Sequence, residues 1–306
     1  MKDERRMRIA AAYNARLQNL VRKSFPFWQR LGIHIVPNHY YQPIPDTRTL
    51  DNSLWQARSE LVGIDINEAG QLALLSDFVA AYKSDYENLP GERTPIPHQY
   101  YVNNGAFERV DGEILYCMIR HFKPKKIFEI GSGNSTYLSA QTVLKNRADG
   151  YECELTAFEP YPNEVLRAGF PGLAELAVVK AQNIPPSRFN ELGENDILFI
   201  DSSHVLKIGS DVQYEYLEIL PRLRQGVMVH IHDIFLPAEY PKEWVVGSRM
   251  FWNEQYLLQA FLTFNDSFEV LWAGSYLHLK HPDKLRTAFD TYAGGPPGSF
   301  WIRKTR

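Results

Sequence analysis

The stretch KKIFEIGSGNSTYLSA, from Lys125 to Ala140, combines residue types that can hold a ligand. A short apolar run is followed by Gly131 and Gly133 and then by a helical segment, and glycines at such a turn let the backbone approach a bound molecule closely. The turn lacks the lysine and Ser/Thr ending of a phosphate-binding P-loop. Thr136 stands where a dinucleotide fingerprint has its third glycine, and Glu129 would repel a pyrophosphate. The pattern therefore disfavours a phosphate ligand.

Polar side chains also follow the next two apolar runs. Glu159 ends the second run in TAFEP, where a carboxylate can accept two hydrogen bonds from a ribose diol, as it does in dinucleotide enzymes. Gln182 and Asn183 follow the third run and are candidates for contact with an adenine edge. These groups favour a nucleoside ligand without showing which nucleoside it is.

Acidic residues and histidines close the fourth and fifth runs. Asp201 and His204 follow the fourth run in FIDSSH, and His232 and Asp233 follow the fifth in VHIHDIF. Because neighbouring parallel strands end at the same edge of a sheet, we expect these four side chains to converge beside the nucleoside site. His230 alternates with His232 along its strand and lies further inside, where a structural role is expected.

Short apolar runs must position these groups, and they are KIFEIG, ELTAFEP, LAVVKAQ, DILFID, VMVHIHD, FEVLWAG and SFWIRK. The early runs are continuously apolar, which is typical of parallel strands covered by helices on both faces. The last two lack a good helix between them, so they predict an antiparallel pair at one edge, joined by a long excursion containing YAGGPPG. The sequence predicts an α/β fold with a Rossmann-like, mostly parallel sheet from about residue 125. Helices are predicted upstream in EAGQLALLSDFVAAYKSDYENL and RVDGEILYCMIRHFKP.

The overall composition excludes several classes of protein. The 306 residues are 44% hydrophobic and 23% charged, as in soluble globular proteins, and a net charge of -3 offers no general attraction for nucleic acid or an anionic membrane. No apolar stretch approaches the roughly 20 residues of a membrane span. Two cysteines are too few for a disulfide framework or a cysteine zinc site, and the N-terminus lacks the apolar core of a signal peptide. We expect a reduced, cytoplasmic protein.

Taken in order, FEIGSGNST, AFEP, DILFIDSSH and GVMVHIHDIF resemble a class I S-adenosylmethionine-dependent methyltransferase of the methyltransferase-24 type. The resemblance covers roughly residues 95–305 and includes FLPAEYPKEW and WNEQYLLQAFL. It implies a seven-stranded sheet whose last strand is antiparallel. It also implies that this chain O-methylates a hydroxyl on a small molecule or a sugar.

The resemblance further implies which residues contact S-adenosylmethionine. Glu129 and the turn from Gly131 to Gly133 would face its methionine part, and Ser135 or Thr136 would bond its carboxylate. Glu159 would take the ribose hydroxyls. The turn is therefore expected to hold the amino-acid end of a nucleoside.

Two uses of the acid and histidine residues stay open. Related metal-dependent O-methyltransferases carry an aspartate at the first place and an acidic pair at the second, which implies Asp201, His232 and Asp233 as ligands of a divalent metal. The histidine in the pair moves the preference from magnesium toward manganese, iron or zinc. In the other reading no metal is bound and His204 is the general base, at the offset where catechol-type enzymes carry a lysine, since imidazole titrates near neutral pH.

A mixed aromatic and polar wall follows the fifth strand and suits a sugar or a phenol as substrate. Its members are Trp244, Arg249, Trp252, Asn253, Glu254 and Tyr256. Trp252 and Tyr256 are at helical spacing, so core packing is an equal reading for them. Tyr100, Tyr101, Asn103 and Asn104 are expected to close the other side.

Two other functions remain as alternatives, an NAD-linked oxidoreductase and a non-catalytic cofactor-binding subunit. The missing third glycine argues against the first, and the retained Asp201, His204 and Asp233 argue against the second. Residues 1–105 are expected to form a helical and irregular extension that caps the site or makes contacts in a homo-oligomer. Residues 106–306 are expected to form the methyltransferase domain.

Overall fold

The computed structural model describes residues 2–290, 292 and 295–306, with the backbone alone for residues 2–12. Its contacts divide the chain into two compact units, Met1–Leu54 and Trp55–Arg306. The strands are β1 (Lys126–Ile130), β2 (Glu154–Phe158), β3 (Glu175–Ala177), β4 (Ile197–Ile200), β5 (Met228–Ile231), β6 (Phe268–Ala273) and β7 (Phe300–Lys304). The α-helices are α1 (Lys2–Arg30), α2 (Ser53–Gln56), α3 (Glu68–Tyr86), α4 (Asp111–Phe122), α5 (Asn134–Ala148), α6 (Glu164–Ala168), α7 (Asp211–Tyr214), α8 (Glu254–Leu262), α9 (Gly274–Lys280) and α10 (Pro282–Ala288).

The strands form one sheet in the order β3-β2-β1-β4-β5-β7-β6. Strand β7 is antiparallel to β5 and β6, and the pairs among the first five strands are parallel. The predicted seven-stranded, mostly parallel sheet with an antiparallel last strand is confirmed. The strand order reverses between β1 and β4, and ligands of such sheets bind in the crevice outside the carboxyl ends at this point.

Burial on both faces explains why the central strands read as continuous apolar runs. All four residues of β4 and of β5 are buried, and so are the last four of β1. One layer of the core contains α4 and α5, and the other contains the segments around residues 184–223 and α8. Each parallel strand ends at the same edge, so the loops after β1, β2, β4 and β5 are neighbours.

Helices α3 and α4 lie where the sequence predicts them, and α4 ends two residues before Pro124. The excursion between β6 and β7 differs from the prediction, because it contains α9 and α10. Leu277 and Leu285 of these short helices are fully buried in the core. Residues 293 and 294 of the YAGGPPG loop lie outside the described residues.

The first unit consists of α1 and an irregular segment. Within it, the rings of Phe25 and His34 stack at 5.2 Å, and the Asp46 carboxylate accepts hydrogen bonds from Asn38 and Arg48. No helix in the described part of the chain is both long and apolar enough to cross a membrane. Residues 55–105 belong to the second unit, and the boundary near residue 105 for the functional domain stays a prediction.

Candidate active site

The glycine turn after β1 packs directly on the end of β4. Gly131 has a φ of 81°, and a Cβ atom there would lie 1.9 Å from the backbone oxygen of Asp201. Only glycine fits this close approach. A Cβ atom on Gly133 would meet nothing within 4 Å. The turn is thus fixed on one side by the neighbouring strand and faces open space on the other.

Glu129, at the end of β1, leaves a hydrogen-bonding capacity unused beside this space. Its side chain is 1% exposed, and its Oε1 accepts a hydrogen bond from the Ser135 hydroxyl at 2.6 Å. Among the described residues, its Oε2 and the Oγ of Ser132 have no hydrogen-bond partner. Burial raises the pKa of Glu129 to about 8, against the hydrogen bond from Ser135. Buried orphan acceptors fit a ligand that brings donors, such as the amino group of S-adenosylmethionine.

Ser135 and Thr136 have partners inside the turn. The Ser135 hydroxyl binds Glu129, and Thr136 Oγ1 accepts a hydrogen bond from the backbone N–H of Gly133 at 2.9 Å. Both side chains are buried. They therefore shape the turn, and their predicted contact with a ligand carboxylate stays a prediction.

Glu159 lies after β2, next to the glycine turn. Its Oε1 accepts a hydrogen bond from Tyr161 N–H at 2.7 Å, and its Oε2 accepts one from Ser132 N–H at 3.3 Å. The side chain is half-buried and keeps acceptor capacity for ribose hydroxyls. Gln182 and the exposed Asn183 lie in a 3₁₀ turn after β3, where Gln182 Nε2 donates to the carbonyl of Gly209 at 3.3 Å.

Asp201, His204 and Asp233 converge at the carboxyl ends of β4 and β5, and we call these three residues the strand-end cluster. One ligand atom from each lies within 4.8 Å of the other two. His204 Nε2 is 3.2 Å from Asp201 Oδ1 and 3.6 Å from Asp233 Oδ2. Three of the four side chains that were expected to converge therefore lie together.

His204 lies in the cluster, as expected, whereas His232 is not part of it. His204, predicted as the base, lies in the cluster because its φ of 56° turns the chain back over the strand end. His232, predicted as a metal ligand, has its Nε2 3.7 Å from Asp233 Oδ1, and its Nδ1 has no partner among the described residues. The three residues whose ligand atoms all lie within 4.8 Å of one another do not include His232. His230 is fully buried and stacks on Phe199 at 4.0 Å, so it has a structural position.

The ionisable groups in and around the cluster shift one another's pKa values. Burial opposes ionisation of Asp201, yet His232 and His204 lower the pKa of Asp201 to about 2. Burial likewise works against a charged His204, but hydrogen bonds to Asp201 and Glu254 raise the pKa of His204 well above its usual value. The raised pKa favours the protonated imidazole, and a protonated imidazole cannot accept a proton. Two carboxylates and an imidazole nitrogen that face one point also fit a divalent cation such as Mn²⁺, Fe²⁺ or Zn²⁺.

A cavity of about 490 Å³ lies beside the cluster. Its wall includes Asp111, His232, Asp233 and Trp244, together with residues 295–298 before β7. Asn103 also lines it, whereas Tyr100, Tyr101 and Asn104, which were expected on the same side, are not among its lining residues. Polar and aromatic groups thus surround a space large enough for a small ligand.

The other residues of the predicted wall make contacts within the protein. Trp252 stacks on the His204 ring at 4.3 Å, and the Asn253 side chain accepts a hydrogen bond from Leu206 N–H at 2.6 Å. Arg249 donates to the carbonyl of Val246, and Tyr256, which is 48% exposed, donates to Glu239. Their role in substrate binding stays a prediction.

Two buried carboxylates near the site have contacts that the sequence did not predict: Asp111 was not singled out, and Glu254 was expected in the substrate wall. Asp111 accepts hydrogen bonds from the backbone N–H groups of Gly298 and Ser299 at 2.9 and 3.0 Å and so fixes the cavity wall before β7. Glu254 contacts the ring of His204 at 3.0 Å. Each stands in the first turn of a helix, where an acidic residue is common for its interaction with the helix dipole. Because this position is common for acidic residues, the sequence gives no indication of a contact with a distant loop.

Comparison with known proteins gives a family and several similar structures. Residues 128–234 match a family described as a methyltransferase domain. A protein of Archaeoglobus fulgidus, described as uncharacterized, is 35% identical over 178 residues, which are 55% of this chain and 78% of that protein.

Solved structures of low similarity include two O-methyltransferases. The TDP-rhamnose 3'-O-methyltransferase CalS11 of calicheamicin biosynthesis is 13% identical, with a TM-score of 0.40 over 83% of this chain and 99% of that one. An O-methyltransferase from Bacillus cereus in complex with S-adenosylhomocysteine is 14% identical, with a TM-score of 0.36 over 76% of this chain and 91% of that one. The family assignment rests on the domain match and on the relative from Archaeoglobus.

Proposed function

The chain belongs to the class I S-adenosylmethionine-dependent methyltransferases of the methyltransferase-24 type, and we propose that it methylates a hydroxyl group of a small molecule or sugar. In this proposal the strand-end cluster assists the loss of the hydroxyl proton. The enzyme class is EC 2.1.1.

The position of the cluster is the observation that carries this proposal. On one side, the backbone oxygen of Asp201 touches the glycine turn at Gly131. On the other side, Asp233 lines the cavity of about 490 Å³. A hydroxyl held in that cavity would therefore reach the cluster next to the place where the methyl donor is expected. Methyl transfer needs the nucleophile, the methyl carbon and the sulfur in line, and this arrangement supports such an alignment.

The residues divide the work between binding and proton removal. Glu129 and Glu159 would bind the amino group and the ribose of S-adenosylmethionine, which supplies an activated methyl group on its sulfonium. Asp111 holds the loop that closes the cavity. Alignment and proton removal are the remaining tasks of the protein.

A divalent ion fits the strand-end cluster better than a lone histidine base does. Asp201 and Asp233 place two carboxylates close together, and a cation would relieve their repulsion. Such an ion would be held by Asp201, His204 and Asp233, and it would lower the pKa of a substrate hydroxyl. His204 alone suits the role of base less well, because its carboxylate neighbours raise its pKa and so favour the protonated ring.

The test combines binding with chelation. Calorimetry should show binding of S-adenosylhomocysteine and no binding of NAD. Methyl transfer from labelled S-adenosylmethionine to a panel of phenols and sugars should stop after chelation and return with manganese, iron or zinc. Asp201→Asn and Asp233→Asn should be nearly inactive while still binding S-adenosylhomocysteine, and the exposed Asp283→Asn serves as the control.

Two outcomes would separate the parts of the proposal. Activity that survives exhaustive chelation would remove the metal and leave the cluster residues to act alone. Failure to bind S-adenosylhomocysteine would remove the proposed reaction altogether.

A further inference from the structure

Both nitrogens of the His204 ring face carboxylates. Its Nε2 points to Asp201 and Asp233 in the strand-end cluster, whereas its Nδ1 lies 3.0 Å from Glu254 Oε2. The ring is 5% exposed and is covered by Trp252. Its two edges therefore have separate environments, and the edge away from the cluster belongs to Glu254.

Glu254 also holds the main chain of His204. The backbone N–H groups of Asn253 and Glu254 donate to the carbonyl of His204 at 3.1 and 3.2 Å. The start of α8 is thus bound to the loop after β4 at both the backbone and the side chain. This double contact fixes the distance between the Glu254 carboxylate and the imidazole.

An ordinary helix-start role does not account for the burial of Glu254. A first-turn acid usually keeps its carboxylate in water, but the Glu254 side chain is 0% exposed. A buried carboxylate is strongly destabilising unless a partner compensates it. The Nδ1–H group of His204 is such a partner.

We propose that Glu254 is a positioning residue that accepts the Nδ1–H hydrogen bond of His204 and thereby keeps Nε2 as the nitrogen presented to the strand-end cluster. A neutral imidazole has one donor and one acceptor nitrogen, so a carboxylate on Nδ1 decides which nitrogen has the lone pair. The same contact fixes the ring orientation and strengthens Nε2 as a ligand. The inference rests on the proposed function in one respect, the binding of a divalent ion by the cluster.

Glu254→Gln tests the role while keeping the size of the side chain. Manganese binding is followed by electron paramagnetic resonance, and S-adenosylhomocysteine binding is measured on the same samples by calorimetry. We expect the manganese dissociation constant to rise about 10- to 100-fold, which is the usual effect of losing an outer partner of a ligating histidine. The affinity for S-adenosylhomocysteine should stay at the wild-type value.

Glu215→Gln is the matched control, because it removes a second buried carboxylate near the cluster. The Glu215 side chain is fully buried and accepts a hydrogen bond from the Ser202 hydroxyl at 3.0 Å, with no hydrogen bond to the His204 ring. A loss of manganese affinity in Glu254→Gln that exceeds the loss in Glu215→Gln at least several-fold supports the positioning role. Equal losses would mean that charge alone matters, and an unchanged affinity in Glu254→Gln would likewise overturn the inference.

A measurement on the wild-type protein covers the case in which Glu254→Gln does not fold. With zinc bound, nitrogen-15 NMR of the histidine rings should show a proton on Nδ1 of His204 and the metal on Nε2. The reverse arrangement refutes the inference. A wild-type protein that binds S-adenosylhomocysteine but no manganese or zinc refutes both the metal and the positioning role, and leaves the methyltransferase reaction standing.

Discussion

Replacing Glu129 by glutamine should make the ligand-free protein more stable at neutral pH and should change how its stability depends on pH. Glu129 lies at the end of β1 with 1% of its side chain exposed, and burial raises its pKa from the ordinary 4.5 to about 8. The substitution keeps an acceptor for the Ser135 hydroxyl and removes the ability to ionise.

The direction follows from the protons bound in each state. The unfolded chain releases this proton near pH 4.5, whereas the folded protein keeps it up to about pH 8. Between these values the unfolded state binds fewer protons, so the free energy of unfolding falls as pH rises. At about 1.4 kcal/mol per pKa unit, the 2.5 units from pH 4.5 to pH 7 give a loss of roughly 3 kcal/mol, which approaches about 5 kcal/mol above pH 8. A glutamine at position 129 does not ionise, so the variant does not lose this stability as pH rises.

Urea unfolding of both proteins from pH 5 to pH 8.5, without ligand, measures the difference. The raised pKa values of His204 and His232 also reduce stability as pH rises, but they do so in both proteins. The excess stability of Glu129→Gln should therefore be near zero at pH 5 and grow to roughly 3 kcal/mol at pH 7. Parallel curves for the wild type and Glu129→Gln would show that the buried carboxyl is not held neutral.

Three further changes test the site and the fold. Glu159→Ala should weaken S-adenosylhomocysteine binding by about 1–3 kcal/mol in calorimetry, because the ribose loses a charged acceptor, and unchanged binding would remove that contact. Gly131→Ala should lower the free energy of unfolding, measured in urea, by more than Gly150→Ala does. Both glycines have positive φ, but of the two only Gly131 has backbone in the place of an added Cβ atom. Equal losses would contradict the close packing at Gly131. Removal of residues 1–100 should yield insoluble protein, because α3 buries Leu75 and Phe78 in the core, and a soluble fragment that binds S-adenosylhomocysteine would show that this extension is dispensable.

The sheet was predictable because its signals are local. Strands buried on both faces need continuous apolar runs, and six of the seven runs begin and end within two residues of an observed strand. The exception is LAVVKAQ, which extends five residues past the end of β3. The convergence of Asp201 and Asp233 followed from topology, since parallel strands end at one edge. Helices α9 and α10 were missed because each has only seven residues, too few to display a helical period between β6 and β7.

Topology led us to expect both His204 and His232 in the cluster, but the backbone conformations that decide where each ring lies were not predictable from spacing. His204 enters the cluster through a left-handed backbone conformation, which a non-glycine residue adopts rarely and which no sequence pattern here announces. His232 follows the alternation of β5, so its ring joins Phe107 at 5.0 Å and lines the cavity beside Asp233. Topology could place these residues at one edge of the sheet, whereas the direction of each ring depends on local backbone conformation.

The segment after β5 shows that residues that follow a strand in sequence need not contact the end of that strand. Trp252, Asn253 and Glu254 suggested a substrate wall because they follow the strand that carries Asp233, yet their contacts run to the loop of His204 and Leu206. These three residues therefore stabilise the loop that carries His204 of the strand-end cluster. If the cavity is the substrate site, selection of the substrate belongs instead to the residues that line it, the segments 103–111 and 295–298 together with Trp244. Changes in those segments would then alter which hydroxyl is methylated, while changes at Trp252 or Asn253 would alter the cluster itself for every substrate.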